Sequence, residues 1–156
     1  MMSFRVTGLP SQLFAHLFAI DDDALSNVGV RRYRVDAKPG YPDRIALRDL
    51  EIGETALLVN YTHQSAANPY RASHAIYVGE NAATTFDRTN VVPEVLRSRV
   101  LSLRAFDSAH FMTDADLVDG GCVETLIDRF LKDPTVAYVQ AHFAKRGCYA
   151  ARIDRA

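Results

Sequence analysis

The stretch TVAYVQAHFAKRGCYAARIDR, residues 135–155, decides the architecture. Two alternating runs, Thr135–Ala144 and Cys148–Arg155, flank Lys145, Arg146 and Gly147. Three linking residues that end in glycine suit a type I turn closed by a left-handed residue, a conformation glycine adopts without steric cost. With Ala144 set opposite Cys148, Phe143 faces Tyr149, Ala141 faces Ala151 and Val139 faces Ile153. That side is apolar apart from one phenol, so it belongs to the core. The other side pairs His142 with Ala150, Gln140 with Arg152 and Tyr138 with Asp154, and Cys148 lies diagonal to His142. A slip of one residue would mix the two sets, so the pattern predicts both a hairpin and its register.

Immediately upstream, Val123, Leu126, Ile127, Phe130 and Leu131 follow the i, i+3, i+4, i+7, i+8 rule of an amphipathic helix that Pro134 stops. Cys122, four residues before Leu126, extends the buried stripe, and Asp119 is placed to cap the helix. Further back, Val100–Phe106 and Phe111–Val118 read as strands, with Asp114 and Asp116 on a face turned to water, and Pro93–Arg97 as a helical turn. Thr55–Tyr61 is apolar on both alternating faces, the mark of a central strand, and Ser73–Val78 resumes the alternation after a polar loop, Thr62–Pro69. Gly79–Asn90 is polar and reads as an excursion. Ile45–Leu50 reads as a short strand after the Pro39, Gly40, Pro42 turn cluster. The charged run Val30–Ala37 and the short Ser3–Thr7 read as edge strands. Between them, Ser11–Ala19 has helical spacing with His16 facing solvent, and Asp21 caps a short helix that ends at Gly29. Strands outnumber helices and most links are short. The expected fold is α+β: a largely antiparallel, strongly curved sheet with two or three packed helices, ending in the β-hairpin, as a single domain over residues 1–156.

At 156 residues, 48% hydrophobic and 24% charged, the chain can fill a core and stay in solution. A net charge of −1 argues against nucleic acid as a partner. No apolar run approaches the roughly 18–20 residues of a membrane span, and the start, Met1 to Val6, carries neither a basic nor a long apolar segment. Two cysteines without metal spacing fit a reduced, cytoplasmic protein. Of 18 basic residues 15 are arginine, which reflects coding bias in a GC-rich genome or a use for planar donor forks.

Four separated motifs, LLVNYTHQ (57–64), PYRASHAIYV (69–78), EVLRSRVLSLRAFD (94–107) and GCYAARIDR (147–155), together resemble the bacterial family called domain of unknown function 1203, over nearly the full chain. The resemblance implies an uncharacterised bacterial protein and brings no catalytic residue, so the chemistry rests on the residues themselves.

No phosphate-binding loop, dinucleotide fingerprint, nucleophile elbow or His-Glu-x-x-His is present, and no cofactor is expected. Tyr61 and His63 end one strand, Asn68, Tyr70 and Arg71 follow in the loop, and His74 begins the next. If those strands are neighbours, these residues gather at one end of the sheet, where Arg104 and the Gln140, His142, Arg152 face of the hairpin can join them. Arginine forks with neutral imidazole and phenol groups suit a small anionic ligand, a carboxylate or a phosphate. The plainer alternative pairs the arginines with acids such as Asp107 and Asp154. A second class of function, a thiol-dependent hydrolase or transferase, would use Cys148 activated by His142, roughly 6–7 Å away across the hairpin; the plainer alternative is a packing cysteine. A third treats the polar face as a homodimer interface anchored by Tyr138 and Arg152. His63, His74 and His142 are spaced too loosely to count as a metal motif.

Overall fold

A computed structural model describes residues 1–156. The strands are β1 (Phe4–Thr7), β2 (Arg31–Arg34), β3 (Pro42–Asp43), β4 (Arg48–Asp49), β5 (Thr55–Gln64), β6 (Ala72–Gly79), β7 (Asp87–Thr89), β8 (Val100–Phe106), β9 (Met112–Asp119), β10 (Tyr138–Phe143) and β11 (Tyr149–Arg155). The helices are α1 (Asp22–Asn27), α2 (Glu94–Arg97) and α3 (Val123–Lys132). The fold is α+β and largely antiparallel. Its strands form a six-stranded sheet in the order β7-β1-β11-β10-β8-β9, a three-stranded sheet β2-β5-β6 and the small β3-β4 ladder, all open. No helix is long and apolar enough to cross a membrane.

The large sheet has two differently made faces. Leu101, Leu103, Ala105, Val139, Ala141, Ala151 and Ile153 share one face and are all buried. Against it packs α3 through Val123, Leu126, Ile127, Phe130 and Leu131, the stripe read from the sequence. The helix also pins the outer strand: Arg129 reaches the exposed Asp114 and Asp116 of β9, at 3.7 and 3.1 Å. Ser102, Arg104, Tyr138, Gln140, His142 and Arg152 alternate onto the opposite face. That face is covered by the small sheet, because the inward residues of β5 run Leu57, Val59, Tyr61, His63 and end against Gln140 and His142. Every residue of β10 is therefore buried, polar ones included.

Several expectations need correction. β1 is an interior strand, not an edge, because Asp87–Thr89, within the stretch read as an irregular excursion, pairs along its free side as β7. Ser11–Ala19 forms two 3-10 turns, Ser11–Leu13 and Ala15–Leu17, because Phe14 at φ −123° interrupts the helix to bury its ring. The expected strand Ile45–Leu50 shrinks to the two residues of β4, because Ile45 to Leu47 form a turn in which the Asp43 carboxylate accepts from the N–H groups of Ile45 and Ala46 and bends the chain. β5 runs on to Gln64 because His63 and Gln64 find polar partners on β10. Cys122 is exposed: it ends a 3-10 turn, Gly120–Cys122, before α3 begins, and so falls off the helical stripe.

The closing hairpin carries the most consequential correction. Val139↔Ile153, Gln140↔Arg152 and Ala141↔Ala151 pair as expected, but a bulge then sets His142 opposite Tyr149 instead of Ala150. Phe143 donates its N–H to Cys148 O at 2.9 Å, so the link is four residues, Ala144 to Gly147, with Gly147 left-handed at φ 78°. Tyr149 thereby crosses from the expected apolar side to the histidine side, and Cys148 becomes level with Phe143 instead of diagonal to His142.

Candidate functional site

Of the polar residues singled out from the sequence, His63, Gln140 and His142 touch one another in a seam between the two sheets, with Arg104 and Arg152 on the same face of the large sheet. The Gln140 amide is fixed by its Nε2–H, which donates to His63 O at 2.7 Å. Its Oε1 is left facing two imidazoles, His63 Nδ1 at 3.1 Å and His142 Nε2 at 3.0 Å. The two rings stand edge to face, 4.8 Å apart, and Tyr149 lies flat beside His63. The other nitrogen of His142 faces Gly147 O at 3.1 Å. His142 is fully buried, and desolvation, followed by the nearby Arg104 charge, pushes its pKa down to about 3. Burial lowers His63 in the same way. A neutral His142 has one N–H for two oxygen acceptors, so the chain His63–Gln140–His142 is one proton short of its contacts.

Alongside runs a second network. Gln64 Nε2 donates to Tyr138 Oη at 2.8 Å, which leaves the phenol O–H to donate to His110 Nδ1 at 2.7 Å. Asn68 ties the loop down through His110 O. Tyr70 packs edge-on against Phe106 and Phe111, and Arg71 spends its charge on Ser65 O. Arg152 is held by Asp154 through three hydrogen bonds of 2.9–3.0 Å and stacks 4.1 Å over the Tyr138 ring. Arg104 has no acid partner. Its one side-chain hydrogen bond is a long one, to Ser102 Oγ at 3.4 Å, and burial lowers its pKa. The seam is packed polar surface, filled by its own side chains.

Of the residues read from the sequence, His74 and Cys148 lie elsewhere, in the wall of a cavity of about 490 Å³. The cavity opens between the free edge of β6, the turn around Pro39 to Pro42, and the hairpin link. Its basic residues are Arg44, Arg99, Lys145, Arg146 and His74, and none of the fifteen residues lining it is acidic. Arg99 is neutralised by Asp49 at 2.6 Å. Lys145, Arg146 and Arg44 take part in no ion pair. Arg44 is only 2% exposed. It donates from Nε to Tyr149 O (2.9 Å), from Nη1 to Pro42 O (2.6 Å) and from Nη2 to Cys148 Sγ (3.0 Å), with the Phe143 ring 4.9 Å from its centre. Burial pulls its pKa down to about 10. The adjacent Asp43 carboxylate is occupied by three backbone N–H groups, those of Ile45, Ala46 and Gly79. Arg44 is thus a buried guanidinium facing carbonyls and a thiol, with no carboxylate.

Sequence reasoning did not find Arg44. It follows a proline-rich turn with no periodic signal, and its partners Tyr149 and Cys148 are more than a hundred residues away. No hydrogen bond joins Cys148 to His142, whose nitrogens are engaged by Gly147 and Gln140. Tyr138, the expected anchor for a second copy, is 5% exposed. No group of three His, Cys, Asp or Glu side chains converges as a metal set. A family model described as "Protein of unknown function (DUF1203)" matches residues 40–155, which leaves the first 39 residues outside the match. No curated protein and no solved structure matches the chain.

Proposed function

The chain belongs to the DUF1203 family, and from that premise we propose that it is a bacterial, cytoplasmic domain that binds a small anionic metabolite in the cavity beside β6. The observation that carries this reading is a lining with three unpaired cations, Arg44, Lys145 and Arg146, and no carboxylate. Like charges gathered without counter-ions destabilise the free protein and are relieved by an anion of two or more charges. His74 on the rim donates its Nδ1–H to Ala75 O at 2.8 Å. Calorimetric titration with inorganic phosphate, pyrophosphate and citrate at low salt tests it. Binding is expected to weaken as salt is raised and to fall at least ten-fold in the Lys145→Ala/Arg146→Ala double variant, whose side chains are exposed and not needed for folding. If none of the three anions binds, or the double variant binds equally well, the reading is wrong.

One contact favours a second reading, a thiol-dependent hydrolase or transferase. Arg44 Nη2 lies 3.0 Å from Cys148 Sγ, so a charged donor is directed at the sulfur. In this arrangement Arg44, not His142, is the activating neighbour. Iodoacetamide labelling of the folded protein in a Cys122→Ser background decides: Cys148 should be alkylated at pH 7, and a Cys148 that stays unlabelled removes the reading.

A further inference from the structure

The cavity's lining restricts its ligand more narrowly than charge does. Apart from the cations and His74, the wall is apolar or aromatic, chiefly Leu58, Ile76, Tyr77, Val100 and Phe143, with the Cys148 thiol. It has no Ser, Thr, Asn, Gln, Asp or Glu. Every charged group in it is a donor, and Tyr77 Oη is the one side-chain oxygen. A sugar, polyol or nucleobase brought here would bury hydroxyl or amine donors with almost no side chain to accept from them, and each unmatched donor weakens binding. An apolar body loses nothing.

The shape agrees. Leu58 and Tyr77 face each other across β5 and β6 on the outer side of the small sheet, whereas Ile76, one residue before Tyr77, points to the inner side. The cavity therefore wraps around the edge of β6, whose only strand partner is β5. Tyr77 is a fixed wall, because its ring packs against Tyr41 (5.0 Å) and Tyr33 (5.9 Å). Tyr77 O points away from β5, where it accepts from Arg44 N at 3.3 Å. Strand alternation turns the N–H groups of Ala75 and Tyr77 outward with it, which adds backbone donors to those on the side chains. A volume of about 490 Å³ lies in the range of sites that enclose a drug-sized organic molecule, well beyond the needs of a bare phosphate ion.

We propose that the natural ligand is an amphipathic anion: a phosphate or carboxylate head held by Arg44, Lys145 and Arg146, joined to an apolar aryl or acyl body that lies on Leu58 and Tyr77. The proposal rests on the anion-binding reading above and specifies its chemical class. The test compares inorganic phosphate, phenyl phosphate and glucose 6-phosphate by calorimetry on the full chain. Phenyl phosphate is expected to bind at least ten-fold more tightly than inorganic phosphate, and glucose 6-phosphate no more tightly than inorganic phosphate. Leu58→Asn should bring phenyl phosphate close to the inorganic phosphate value while leaving phosphate itself unchanged. Should that variant misfold, saturation-transfer NMR on the wild-type chain supplies the second readout, since the phenyl protons should receive saturation from the protein. Equal affinities for phosphate and phenyl phosphate, tighter binding of glucose 6-phosphate, or unsaturated phenyl protons overturn the amphipathic ligand and leave anion binding intact. Failure of all three compounds to bind overturns both.

Discussion

His142 is held between Gly147 O and Gln140 Oε1 in a space that excludes water, with the His63 and Tyr149 rings packed against it and the Arg104 charge nearby. Its pKa falls from 6.5 in the unfolded chain to about 3, so unfolding takes up a proton anywhere between those values. Stability from this group is complete above pH 6.5 and is lost as the pH falls toward 3. From pH 7 to pH 5 the loss is about 2 kcal/mol from His142 alone, and His63 adds to it in the same direction. Urea midpoints at the two pH values should show it, with a smaller loss in His142→Gln; equal losses in the two proteins would assign the effect elsewhere. Gly120 sets a different kind of limit. A Cβ there would lie 2.0 Å from Leu96 O and 2.6 Å from Arg97 O, both backbone atoms. Gly120→Ala should cost roughly 3 kcal/mol in a urea titration, whereas nothing lies within 4 Å of a Cβ at Gly29.

At the scale of elements, the last strand closes the last helix. Arg155, near the end of β11, donates to Leu131 O in the last turn of α3 and to Asp133 O and Val136 O in the link that follows the helix. Arg155→Ala should cost about 2–3 kcal/mol by urea titration, and Arg155→Lys should recover less than half, because an ammonium cannot span three carbonyls. Such long-range roles mark the boundary of what the sequence conveys. Val100–Phe106 and the α3 stripe were legible because their periodicity is set by one buried face. The hairpin register was legible as far as Ala141↔Ala151 and failed at His142, where the bulge appears only once Tyr149 has the small sheet to pack against. The seam residues could be gathered from chain order, but Arg44 and the cavity could not, because they depend on where a proline turn docks.

At the scale of the whole molecule, the order of strands in the large sheet joins both ends of the chain. β1 fits between β7 and β11, and Phe4, Val6, Leu9, Phe14, Leu17, Leu25 and Val30 all enter the main core. The family match begins at residue 40, after all of these. A chain of residues 40–156 should therefore show no cooperative thermal transition and should bind hydrophobic dyes; a sharp transition would mean that the first 39 residues are dispensable. This order of strands was not legible, since pairing partners far apart in sequence leave no local signature.

The position of β9 has a consequence for the protein in a crowd. It is the longer of the two outer strands of the large sheet, and its free backbone groups are a template on which another molecule could extend the ladder. Asp114 and Asp116 are both exposed on it, and Arg129 draws them toward α3. Two copies approaching rim to rim would bring like carboxylates together before any amide could pair, so the open border repels its own kind and fibrous growth is discouraged where it would otherwise begin.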